Sequence, residues 1–117
     1  MIAEMRRIGN NLNQLAWLLA TVTDESQRDS DESIRLAKHA ATLTEYKNPL
    51  ILHTLATTYA HAGNFKAATE TIEKTRTLAR QTGWQKLVDD LTASAIRFRS
   101  GQVLDDASIA AFEKSHL

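Results

Sequence analysis

Apolar residues in this chain recur at steps of three and four, and single glycines or a proline cut the recurrence into helix-length pieces. Leu52, Leu55, Ala56 and Tyr59 form one stripe, Gly63 interrupts it, and Phe65, Ala68, Ile72, Thr75, Leu78 and Ala79 resume it. A step of three or four keeps side chains on one face of an α-helix, whereas a strand needs alternation at two. No alternation long enough for a sheet occurs in the chain. The pattern commits the chain to helices that bury one face against each other.

Six such segments follow in order. Ile2, Met5, Ile8, Leu12, Leu15, Ala16 and Leu19 predict a first helix. Gly9 costs about 1 kcal/mol against Ala inside it, so a start near Asn10 or Asn11 is expected. Periodicity then lapses, and a long polar loop is expected from about Thr21 to Ser30. Ser30 or Asp31 caps a second helix that turns Ile34, Ala37, Ala40, Ala41 and Leu43 inward. Asn48-Pro49 ends it and opens a third, with Asn48 as N-cap and Pro49 at the first position, where no N–H is needed. Gly63 closes the third helix, and Asn64 caps a fourth that carries a Glu70–Lys74 surface pair and ends at Gly83. Leu87, Val88, Leu91, Ala95 and Phe98 mark a fifth helix running to Gly101. Ile109, Ala110 and Phe112 mark a short sixth from Asp105 or Asp106.

Composition narrows the function classes. Fourteen basic residues balance fourteen acidic ones, so no net charge draws the chain to nucleic acid or to an anionic membrane. Cysteine is absent, which removes disulfides, thiolate metal sites and a Cys nucleophile. No apolar run approaches the ~20 residues of a membrane span, and the N-terminus lacks the apolar core of a signal peptide, so a cytoplasmic location is expected.

The residues that invite chemistry lack company. His53 and His61 stand eight apart, where a paired metal site wants a step of four, and His39 and His116 have no better partners. The acidic stretch DESQRDSDE at residues 24–32 lacks the central glycine of a calcium loop. No phosphate-cradling glycine motif exists, and Ser26, Ser94 and Ser100 lack a nucleophile elbow. Asp89 and Asp90 are neighbours on one helix and point apart. Neither an enzyme, a metal nor a cofactor is expected.

The spacing carries a resemblance. Residues 49–82 read Leu52-x-x-Leu55-Ala56-x-x-Tyr59, then Gly63, then Ala68-x-x-x-Ile72-x-x-Thr75, which resembles the tetratricopeptide repeat of ~34 residues. A looser copy occupies about residues 10–46, with Leu12, Leu15, Ala16 and Leu19 before Ile34, Ala37 and Ala40, and is similar to bacterial repeat proteins with an extended first inter-helix loop. Residues 84–117 read as a degenerate repeat or as capping helices. The resemblance implies one all-α domain over residues 1–117, an α-solenoid of three antiparallel helix pairs in a right-handed superhelix.

Such a stack implies a concave groove lined by the first helix of each pair. The groove residues would be Asn10, Asn13, Gln14 and Trp17, then His53, Thr54, Thr57 and His61. The implied function is a noncatalytic interaction module that binds an unidentified peptide or protein there. The carboxylate clamp that some family members use on chaperone tails needs a lysine, and Asn13, Trp17, His53 and Thr57 supply none. The alternative is a structural role, as a self-associating module through Ile2, Met5 and Ile8 or as the cap of a larger repeat protein. Trp17 either anchors a ligand or packs beneath the long loop.

Overall fold

Short polar signals decide where each helix begins and ends. The computed structural model describes residues 3–22 and 30–116. Among these it contains six helices and no strand: α1 (Ala3–Thr21), α2 (Ser30–Leu43), α3 (Pro49–His61), α4 (Phe65–Thr82), α5 (Gln85–Arg99) and α6 (Asp106–His116). Residues 23–29, which carry most of the expected long loop and of the acidic stretch weighed for calcium, lie outside the described residues.

Two of the expected caps form, at Asn48 and Asn64, whereas Ser30, expected with Asp31 as a cap for α2, is itself the first residue of that helix. Asn48 Oδ1 accepts from the Leu50 N–H at 3.0 Å and Asn64 Oδ1 from the Ala67 N–H at 3.1 Å, each satisfying an amide that has no partner within its helix. Asp105 does the same for Ser108 at 2.7 Å. Gly63 sits at φ 82, and the Asn64 N–H reaches back to the Tyr59 carbonyl at 2.9 Å, which closes α3 in the left-handed turn that glycine favours.

The first helix departs from the reading above in two ways. It runs through Gly9 instead of starting after it, because Gly9 is a contact point: a Cβ there would stand 2.9 Å from Thr44 Cγ2 and 3.5 Å from the Ala40 carbonyl. The missing side chain lets α1 lie close on α2. The buried line of α1 is accordingly Gly9, Asn13, Ala16, Trp17 and Ala20. That line is rotated from the apolar stripe, so Met5, Ile8 and Leu15 are exposed. Ala110, expected inward, is also exposed. Lys74 forms no pair with Glu70 or with any other carboxylate among the described residues.

Helices pack in chain order, α1 on α2, α2 on α3, α3 on α4 and α4 on α5, and α1 also reaches α3. Helix α3 is surrounded: every residue from Ile51 to Thr58 is buried, and so is Ala60. Its three buried threonines need no outside partner, because Thr54 donates to the Leu50 carbonyl, Thr57 to His53 and Thr58 to Leu55. The main apolar cluster joins Trp17 of α1 to Ala56, Ile72, Leu91, Phe98 and Phe112, so α6 is tied back to the start of the chain. The radius of gyration is 12.9 Å. A globular chain of this length has about 13 Å.

Candidate functional site

Helix α6 crosses the face on which α1, α3 and α5 would otherwise meet solvent. Phe112 stacks on His53 with ring centroids 4.0 Å apart and planes 21° from parallel, and lies 5.6 Å from Trp17. Trp17 and His53 are themselves 5.7 Å apart. His53 Nε2 shares a 2.9 Å hydrogen bond with Ser94 Oγ of α5. At the far end of α6, His116 Nε2 donates to Asp90 Oδ2 of α5 at 2.6 Å, and its ring rests on Phe112 and edge-on to Trp84.

Burial governs the charges here. His53 is fully buried, which pushes its pKa down to about 3; repulsion from His116 adds to this and Asp90 opposes it. Burial would raise the Asp90 carboxyl, but hydrogen bonds from His116 and Lys86, with the Lys86 charge, outweigh it and hold Asp90 below its ordinary value.

The expected groove residues are therefore divided. Asn13, Trp17, His53, Thr54 and Thr57 are buried, Asn10 and Gln14 are exposed, and His61 is intermediate. His53, read as a surface or groove residue, lies in the core because Phe112 covers it. Trp17 is covered by α6. The threonine hydroxyls read as peptide hydrogen-bonders are spent on their own helix. The periodic pattern that located these residues carries no sign of the helix that lies across them.

His53–Ser94 and His116–Asp90 look at first like halves of a catalytic relay. They are separate pairs, since the carboxylate serves the other histidine. A histidine held neutral down to about 3 is also too weak a base to activate a hydroxyl near pH 7. Among the described residues, no three His, Asp or Glu side chains gather in a way that could hold a metal ion.

The open surface with recognisable polar chemistry is the outer side of α1. Arg6, Asn10 and Gln14 follow at steps of four, Arg7 and Asn11 lie beside them, and all five are exposed. Steps of four keep them on one side of the helix. Arg7 approaches Glu4 at 3.9 Å with both side chains largely in solvent, a pair worth little.

A family model matches this helix. It is described as bacterial mobilisation protein (MobC), and the match spans residues 2–33 of the 117. That is α1, the segment after it and the first turn of α2, well short of half the chain. No curated protein and no solved structure matches at a significant level.

This finding corrects several expectations. The matching family is not the tetratricopeptide family, no model of which matches, and the resemblance drawn from about residues 10–46 and 49–82 is overturned. The groove-binding interaction module and its structural alternative fall with it. The exclusion of nucleic acid also lapses. A net charge of zero is a sum over the whole chain, and it does not stop one helix from presenting two arginines. Arg6, Arg7 and Asn11 were not among the expected groove residues, although the RRIGNNLNQ stretch sets Arg and carboxamide residues at helical spacing. The coarser points stand: all six elements among the described residues are helices, and none of these is long and apolar enough to cross a membrane.

Proposed function

We propose that the chain serves bacterial mobilisation as a noncatalytic component, and that the outer polar side of α1 contacts the mobilised DNA. The observation that carries this reading is a coincidence of place. The matched segment contains the helix whose exposed side bears Arg6, Arg7, Asn10, Asn11 and Gln14. Arginine suits phosphate and guanine edges and carboxamides suit adenine edges, and an α-helix fits the width of the major groove. The packing of α1 to α5 in chain order supports a short curved stack of helix pairs as the body behind α1, with α6 folded into its hollow side. In this reading the buried His53 and Trp17 cluster holds the body together, and a cytoplasmic site of action follows from the DNA partner.

Fluorescence anisotropy of a labelled duplex tests the proposal at low and moderate salt. Two arginine–phosphate contacts predict a log–log salt slope of about −2, with binding in the ~10⁻⁴–10⁻⁶ M range for an unselected sequence. The double variant Arg6→Ala/Arg7→Ala should keep its fold, lose most of that slope and bind more weakly. Absence of binding at low salt, or an unchanged slope in the double variant, overturns the assignment.

A further inference from the structure

On the side of α3 away from His53, a cavity of about 290 Å³ opens between α3, α4 and the turn after α2. It is lined by three leucines, Leu52, Leu55 and Leu78, by two tyrosines, Tyr46 and Tyr59, and by Thr71 and Lys74. Among the described residues no carboxylate lines it. Lys74 has no ion-pair partner among the described residues, and a second cation, Lys38 Nζ, lies 5.8 Å from the centroid of the Tyr59 ring. An apolar lining with a few polar groups is the usual make-up of a small-molecule site, and this volume falls just below the ~300–1,000 Å³ range for such sites, room for a small ligand only.

The position of Tyr46 adds an independent observation. Helix α2 ends in a paired turn, with the Glu45 N–H on the Thr42 carbonyl at 3.0 Å and the Tyr46 N–H on the Ala41 carbonyl at 2.8 Å. Such turns normally place glycine at the left-handed position. Here Glu45 and Tyr46 hold φ 59 and 54, a conformation that costs a residue with a side chain roughly 1–2 kcal/mol. That backbone carries a large aromatic side chain, 51% exposed, to the mouth of an apolar cavity. Backbone strain held in place beside a cavity with an unpaired cation supports a ligand site there.

We propose that this cavity binds a small planar aromatic acid of one or two rings, stacked between Tyr46 and Tyr59 with its carboxylate on Lys74 and Thr71. The site is independent of the DNA-contacting side of α1. Titration of ¹⁵N-labelled protein with 2-naphthoate, and in parallel with uncharged naphthalene-2-carboxamide, tests it by amide chemical shifts. Saturable shifts are expected around Tyr46, Tyr59, Thr71 and Lys74, stronger for the acid. Lys74→Gln should weaken the acid roughly threefold to tenfold and leave the carboxamide unchanged. Tyr46→Ala, at an exposed position, should weaken both. Shifts that fail to saturate or fall elsewhere overturn the proposal. So does a Lys74→Gln variant that binds the acid as before, or a Tyr46→Ala variant that binds both compounds undiminished.

Discussion

Acidification from about pH 7 to about pH 5 should remove roughly 2 kcal/mol of stability through His53 alone. In the unfolded chain this imidazole titrates near 6.5, whereas in the folded chain burial, with repulsion from His116, brings it to about 3. Between those values the unfolded state carries the extra proton, so stability rises with pH across the window and falls as pH drops below about 6.5. From about pH 7 to pH 5 the unfolded ring goes from roughly one-quarter to almost fully protonated, while the folded ring stays neutral; at ~1.4 kcal/mol per unit this gives the ~2 kcal/mol. The figure depends little on the folded value so long as that lies below about 4. Asp90, whose carboxyl is lowered on folding, adds stability above its unfolded value near 3.8 and loses it only at lower pH, outside this window. Urea unfolding followed by tryptophan fluorescence at the two pH values reads the effect as a midpoint shift of about 1–2 M. His53→Gln keeps a polar group for Ser94 but cannot titrate; it should be less stable at neutral pH and show a smaller acid loss. Equal acid losses in the two proteins would refute the burial of His53 beneath Phe112.

Three further outcomes follow from the packing. Gly9→Ala should destabilise, because the ~1 kcal/mol gained in helix propensity is outweighed by overpacking of about 1–3 kcal/mol against Thr44 Cγ2 at 2.9 Å. Adding Thr44→Ser should recover part of that loss in thermal melts. Glu45→Gly should stabilise by about 1 kcal/mol, since glycine holds the left-handed φ of 59 without strain; a fall in melting temperature would contradict the turn. Phe112→Ala should cost about 3–5 kcal/mol, as it removes the ring packed on both Trp17 and His53; a near-neutral result would mean that α6 does not close over α1 and α3.

Helix positions were legible in the sequence because their signals are local. Asn48-Pro49, Gly63-Asn64 and Asp105 act within one turn of themselves, and each does in the structure what its chemistry suggests. What covers each helix face was not legible. Phe112 meets His53 across nearly sixty residues of chain, and no spacing rule reaches that far. The buried threonines of α3 misled for a different reason. A hydroxyl reads as a group seeking a partner, yet in a helix it finds one at the carbonyl a turn earlier, so its burial costs little. Gly9 misled in the same way, because its propensity cost was visible and the contact that offsets it was not. The polar side of α1 was within reach, but whole-chain neutrality concealed it, and five of the eight groove candidates turned out to be buried.

Amide chemical-shift mapping of the intact protein with a short DNA duplex tests the functional account most directly. Perturbations confined to Arg6–Gln14, with Trp17, His53 and Phe112 undisturbed, are the predicted result. Perturbations centred on Trp17, His53 and Phe112, or none at low salt, would contradict it.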